Sequence, residues 1–355
     1  MFAVLFIVVV GLVFEFINGF HDTANAIATS VATKVLTPRQ AVTLAATLNL
    51  VGALVGTAVA TTIGQGLIDT RFATPGTIVA ALASGIVWNL ITWRLGLPSS
   101  SSHALIGGLC GATVAAAHGD WSVVRWSALN PVTHAAEGLW PKVVLPMIAS
   151  PTIGFLLAFG VMVLLLWAFH RRRPEKLKRT FSRCQIASAA WMSFSHGTND
   201  AQKTMGIIAL TLYVATTRSH AFDDLPPWLD FLRAPEFKVY PWIKIICAIT
   251  IGAGTAVGGW RIIQTVGRKL VRLQPIHGFA AQSSAAAIIH LASHWGIPLS
   301  TTHVITASVL GVGATRGLRA VRWTVAERMI WAWVMTLPVT LALGYLFGLA
   351  SRHWF

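Results

Sequence analysis

The sequence predicts an all-α polytopic membrane protein made of two inverted-topology repeats of about five spans each, with broken or re-entrant helices at the midplane. Three observations carry this prediction. Of the 355 residues, 55% are hydrophobic and 11% charged, where an ordinary soluble domain carries roughly 25% charged residues. One basic segment, "HRRRPEKLKRTFSR" (His170–Arg183), cuts the chain nearly in half. Two kinds of polar motif recur in the same order in both halves.

The first half is expected to cross the bilayer at about 2–18, 40–63, 75–94, 99–117 and 142–169, and the second at about 184–212, 240–262, 277–295, 300–315 and 328–350. Stretches such as Ala41–Ile63, Val143–Phe169 and Ile330–Ala350 meet the roughly 20 apolar residues a crossing needs. The seven Lys/Arg of the central segment place it in the cytoplasm, because basic loops stay inside. The chain thus divides into a first repeat (1–170), a basic cytoplasmic linker (171–183) and a second repeat (184–355), with both termini outside. An odd number of spans per half inverts one repeat relative to the other.

The formal charge of +15 follows from the same rule, and no nucleic-acid partner is expected. The loops "GRKLVR" and "RGLRAVR" fall inside; Thr216–Tyr240, with Asp223, Asp224, Asp230 and Glu236, falls outside. The segment Asp120–Lys142 reads equally as an outer loop, an interfacial helix or a re-entrant piece. The N-terminus lacks a basic n-region and a cleavage site, so Phe2–Ile17 is expected to remain as a span. Cys110, Cys184 and Cys247 are too scattered for a metal site or a disulfide framework. Trp88, Trp93, Trp331 and Trp333 read as interfacial anchors.

The motifs carry the chemistry. "FINGFHDTAN" (Phe16–Asn25) aligns with "FSHGTNDAQK" (Phe194–Lys203), and "GLPSSSSH" (Gly96–His103) with "GIPLSTTH" (Gly296–His303). Asp22 and Asn25, and likewise Asp200 and Lys203, share a helix face at a spacing of three. Carboxylates inside spans are costly and mark ion pathways, proton relays or substrate sites. Gly19 and Gly197 permit either a helix break or close helix packing. In the Pro-led segments, Pro suits the first turn of a helix, and Ser100, Ser101, Ser102, Ser300, Thr301 and Thr302 put hydroxyl donors beside unpaired backbone N–H groups. Two such helix ends suit a tetrahedral oxyanion.

An anion near two aspartates is repelled. At about 5 Å and an effective dielectric near 20, each unit-charge pair costs roughly 3 kcal/mol. The arrangement makes sense if cations or protons share the site, so that each ligand lowers the cost of the other. Asp22 and Asp200 are the candidate coupling-ion residues, and His21 could carry a proton. Lys203 adds a fixed positive charge. His103 and His303 are expected to anchor structure; His196 and Glu15 are left open between a proton-handling and a packing role.

At these residues the sequence resembles the PiT family of inorganic phosphate transporters. The family's duplicated G-x-N-D-x-A-N-A motif reads "GFHDTANA" (Gly19–Ala26) and "GTNDAQKT" (Gly197–Thr204) here, and its P-x-S-T-T-H segments read Pro98–His103 and Pro298–His303. The resemblance covers essentially the whole chain and is greatest to bacterial low-affinity members. It implies a transporter, not an enzyme. Specifically, it implies a multi-pass plasma-membrane homodimer that imports phosphate with H+ or Na+ by alternating access and has no resident cofactor. The carry-over gives Thr23, Asn25, Asn199, Gln202, Lys203 and the Ser/Thr of both Pro-led segments as phosphate contacts. His21 departs from the motif's Asn, and Gln202 and Lys203 depart from its Ala-Asn. Imidazole and ammonium are poor sodium ligands, so protons are the expected coupling ion, with a divalent metal carried along as a neutral metal–phosphate complex. A Na+-coupled symporter, or a transporter or channel for another oxyanion such as sulfate, is the alternative.

Overall fold

The computed structural model describes residues 1–129, 136–218, 222–223 and 225–352. The described residues form twelve α-helices, joined by short turns and one two-residue antiparallel ladder, Ala128–Leu129 with Ala136–Glu137.

Helix α1 runs unbroken from Phe2 to Ala32 and α7 from Pro174 to Thr217. Both carry an Asp motif in mid-helix, so the motif does not end a span as the boundary at residue 18 predicts. Gly19 and Gly197 serve close packing instead. A Cβ on Gly19 would lie 2.6 Å from the Ile251 carbonyl oxygen, and one on Gly197 would lie 2.2 Å from that of Asn49. The two helices run antiparallel: Gly11 faces Ile208, and Glu15 accepts from Thr204. Helix α7 also absorbs most of the expected linker, which is helical from Pro174 onward. Lys and Arg are good helix formers, and Phe181 anchors this end by packing between Phe169 and Phe279.

The breaks fall elsewhere. Helix α2 (Pro38–Ala53) bends by 70° into α3 (Ala58–Gln65), and α8 (Pro241–Val257) bends by 59° into the helical stretch that begins with α9 (Trp260–Gln264). Each bend contains a glycine at positive φ, Gly56 at 80° and Gly258 at 77°, which costs a side-chain-bearing residue strain.

Five helical segments per half are present, but the third and fourth form the arms of a hairpin. Helix α4 (Pro75–Leu95) starts beside Val4 and Ile7 and ends with Thr92 against His21. Helix α5 (Ser101–Ala116) returns to the starting end, where the Ala115 carbonyl accepts from Arg352. Helix α10 (Pro275–His294) starts beside Gln185 and ends with Ser293 against Asn199; α11 (Thr301–Ala314) returns to Val271 and Val321. The hairpins enter from opposite ends, and their tips meet deep inside, where Ser102 donates to the Leu299 carbonyl.

The last helix of each half clamps the other half's hairpin. Helix α6 (Leu145–Phe169) lies on α11, and α12 (Trp323–Ser351) lies on α5. Among the described residues, four single helices are long and apolar enough to cross a bilayer, and up to six spans result if each bent pair counts as one. The outward faces suit lipid: Leu156 is 61% and Trp167 73% exposed, as expected where hydrocarbon replaces water. Of the segment Asp120–Lys142, the described part is a short turn, the ladder and the entry to α6; residues 130–135, like Asp224 of the acidic loop, lie outside the described residues.

Candidate functional site

The hairpin tips and the two unbroken helices enclose one polar cluster at the centre of an apolar protein. Asp22, Asp200 and Lys203 are 2%, 0% and 1% exposed. Such groups are tolerated there only if they satisfy one another.

Each tip is a helix N-terminus shaped by its Pro-led sequence. Ser100 and Ser300 are the N-caps, each accepting from the backbone N–H of the histidine three residues on, at 3.2 Å. In this structure these two hydroxyls, expected as phosphate contacts, hold the helix ends. The next two positions point inward. Ser101 donates to Asp22 Oδ2 at 3.3 Å, and Thr302 to Asp22 Oδ1 at 3.4 Å. Thr301 donates to Asp200 Oδ2 at 3.3 Å. Asn25 Nδ2 donates to Thr302 at 2.9 Å and Thr301 at 3.2 Å. The second tip thus reaches both aspartates and the first reaches Asp22.

Lys203 closes the cluster. Its ammonium lies 2.5 Å from Asp200 Oδ1, donates to Ser102 and reaches the Leu299 carbonyl at 3.4 Å. His196, one turn before Asp200, places Nε2 3.1 Å from Asp200 Oδ2, in ion-pair reach but not aligned as a hydrogen bond. Its Nδ1 is 3.1 Å from Asn49 Oδ1. On the other side His21 Nδ1 is 2.7 Å from Asp22 Oδ1, and Nε2 is 3.0 Å from Thr92, which accepts from Ser99 at 2.8 Å. One ligand atom each from Asp22, His196 and Asp200 lie within 4.8 Å of one another, a spacing that can hold a cation between the repeats.

Three further residues expected as phosphate contacts are engaged elsewhere in this structure. Gln202 turns away: its Oε1 accepts from the backbone N–H of Val59 at 2.8 Å and of Ala60 at 3.3 Å, capping α3 after the 70° bend. Thr23 bonds back to the Gly19 carbonyl at 2.7 Å and to Thr255 across the α1–α8 contact. Asn199 donates to Ser293 and the Ile297 carbonyl, bracing the second hairpin. Of the proposed tryptophan anchors, Trp88 donates to Thr336, Trp93 packs edge-on to Phe20, and Trp333 stacks on His303; only Trp331 among the four is well exposed. His103 and His303 pack against each other behind the tips, with ring centroids 5.1 Å apart.

Sequence reasoning left His196 open and did not find Thr92 or Asn49. His196 had a usable signal, its i,i+4 relation to Asp200 on one helix. The others are single polar residues in apolar runs, and nothing local tells which way they face.

Comparison with known proteins agrees with this architecture. The model of the Phosphate transporter family matches residues 18–344. A probable low-affinity inorganic phosphate transporter of Bacillus subtilis (strain 168) is 44% identical over 342 residues, covering 96% of this chain and 94% of the relative. One from Mycobacterium tuberculosis (strain ATCC 25618 / H37Rv) is 47% identical over 355 residues, covering 98% and 78%. A solved structure described as the sodium-dependent phosphate transporter superposes with a TM-score of 0.85 at 24% identity, covering 100% of both chains, and so shares the fold. The family and these relatives are transporters, not enzymes. With the family model spanning nearly the whole chain, this multi-pass membrane protein belongs to the phosphate transporter family.

Proposed function

We propose that the chain imports inorganic phosphate in symport with protons, by alternating access around the Asp22–Asp200 cluster. The observation that carries this reading is the sharing of donors. Ser101, Thr301 and Thr302 donate to the two carboxylates, yet they stand at two helix N-termini, where an anion is favoured. A hydroxyl proton serves one acceptor at a time. With Asp22 and Asp200 ionised, the hydroxyls are occupied and an entering phosphate meets two like charges. Protons on the carboxylates release the hydroxyls to phosphate and remove the repulsion, so loading of proton and anion becomes cooperative. Asn25, Ser102 and Lys203 complete the phosphate ligands; Asp22, Asp200 and His21 handle the coupling ion.

The Asp22–His196–Asp200 spacing supports a second feature of the reading. Two carboxylates and an imidazole suit a divalent metal better than sodium, in keeping with phosphate carried as a metal complex. The sodium dependence named for the structural relative favours Na+ as the alternative coupling ion. The two hairpins, entering from opposite ends, are the natural gates. The basic end is placed in the cytoplasm by the positive-inside rule, in a plasma-membrane homodimer.

Phosphate uptake into proteoliposomes under separately imposed H+ and Na+ gradients, with and without Mg2+, tests this reading. Accumulation driven by an acid-outside gradient alone is the expected result. Unimpaired uptake by an Asp22→Asn, Asp200→Asn double variant would overturn the assigned roles.

A further inference from the structure

Seven residues before Asp22 on α1, roughly 10 Å up the helix at 1.5 Å per residue, lies a second polar group that the phosphate cluster does not use. Glu15 is fully buried; its Oε2 accepts from Thr204, and its Oε1 has no partner. Asn18 lies one turn further on, beside the carboxylate. Both of its side-chain polar atoms are buried without partners, as are both of Asn89 on α4. The helix register brings the two amides together. Phe14 packs on Gly85 and His21 meets Thr92. Asn18 lies between Phe14 and His21 on that stripe of α1, and Asn89 occupies the matching place between Gly85 and Thr92 on α4. Orphaned buried polar atoms each cost about 1–3 kcal/mol. Orphans this numerous in one region call for a polar guest.

Glu15 also differs electrostatically from the aspartates. Asp22 has His21, and Asp200 has Lys203 and His196; the groups against Glu15 are the Thr204 hydroxyl and the Asn18 amide, both neutral. The charged or titratable groups that face it are Lys203 and Asp200 from α7 and the Cys247 thiol from α8, while α4 offers only Asn89. Lys203 is already engaged by Asp200 and Ser102. A carboxylate left ionised inside a membrane protein without a basic partner is costly, and a proton removes that cost. The feature exists once: at the repeat offset of 178, Glu15 corresponds to Ser193 and Thr204 to Ala26.

We propose that Glu15, Asn18 and Asn89 form a hydrated cation pocket, separate from the phosphate ligands, that seats a further coupling proton on Glu15 beside those taken by Asp22 and Asp200. The inference rests on the proton-symport reading above and names the residue that makes the transport cycle strict. Protonated, Glu15 leaves Lys203 to the phosphate. Ionised, it competes for Lys203 across Thr204, the next residue on α7, and weakens phosphate holding. A cycle that returns empty must therefore shed this proton, whereas phosphate-for-phosphate exchange need not.

The test separates these two modes in proteoliposomes, using the full chain. Glu15→Gln mimics the protonated acid. It is expected to retain exchange of internal for external labelled phosphate while losing accumulation on an acid-outside gradient by about tenfold or more, within the usual range of coupling energies. An Asn18→Leu, Asn89→Leu variant fills the pocket with apolar atoms and should lose accumulation in the same way while remaining monodisperse in detergent. Glu15→Gln protein that accumulates phosphate like the wild type overturns the proposal, as does a folded Glu15→Gln protein that loses exchange as well. A wild type driven by a Na+ gradient and not by a pH gradient overturns the proton-symport reading itself, a failure distinct from that of the variants.

Discussion

Asp200 and Lys203 form an ion pair sealed from solvent, and removing one partner should harm the protein more than removing both. At the observed 2.5 Å N–O distance and an effective dielectric of about 20, the attraction is roughly 7 kcal/mol. Desolvation offsets part of this, and breaking one side of a buried pair costs about 3–5 kcal/mol because the other charge is left stranded. In Asp200→Asn the stranded charge is the Lys203 ammonium, left with neutral acceptors such as Ser102 and the Leu299 carbonyl. The double variant Asp200→Asn, Lys203→Met removes the stranded charge. Thermal unfolding in detergent, followed at one fixed scan rate because such transitions are often irreversible, should show a marked drop for Asp200→Asn and a substantial recovery in the double variant. Phosphate uptake should be lost in both. A single variant as stable as the wild type, or a double variant no more stable than the single, would refute the view that this pair is buried and mutually dependent.

Other expectations follow from particular contacts. Gly197→Ala drives a methyl to 2.2 Å from the Asn49 carbonyl and should cost about 1–3 kcal/mol through overpacking, seen as a lowered unfolding temperature; Gly160→Ala, with nothing within 4 Å, should change it little. Ser100→Ala removes an N-cap and should cost about 1 kcal/mol of stability with a small change in phosphate KM, whereas Ser101→Ala should raise KM with little loss of stability. Gln202→Leu strips the cap from α3; thermal unfolding should report the loss more strongly than phosphate affinity does. Asn25→Leu should weaken phosphate uptake through KM, since its amide bridges the Thr301 and Thr302 hydroxyls.

The sequence made some residues legible because their cost is local. A carboxylate within an apolar run is expensive wherever the run folds, so Asp22 and Asp200 stand out without a structure. Their repeated setting identifies them as a pair, and "PSSSSH" and "PLSTTH" declare helix N-termini by Pro and hydroxyl chemistry alone. The same local logic does not separate two roles that share one residue type. Ser100 and Ser101 are chemically identical; a single residue step along the backbone sends the first to its own helix and the second to Asp22. Gln202 lies next to Lys203 in the chain, yet 100° of helix rotation points it at α3 instead of the site.

What the sequence by itself determined, then, is the membrane-spanning class, the two-fold repeat and the polar groups that cannot be bystanders, because composition and spacing fix hydrophobic burial and helix phase. Only the tertiary structure decided that the third and fourth segments of each half form re-entrant hairpins whose tips meet. Length and apolarity do not distinguish a helix that crosses from one that turns back. It also decided that His196 joins Asp22 and Asp200 and that Glu15 is buried against Thr204, since those juxtapositions arise from packing between helices far apart in the chain.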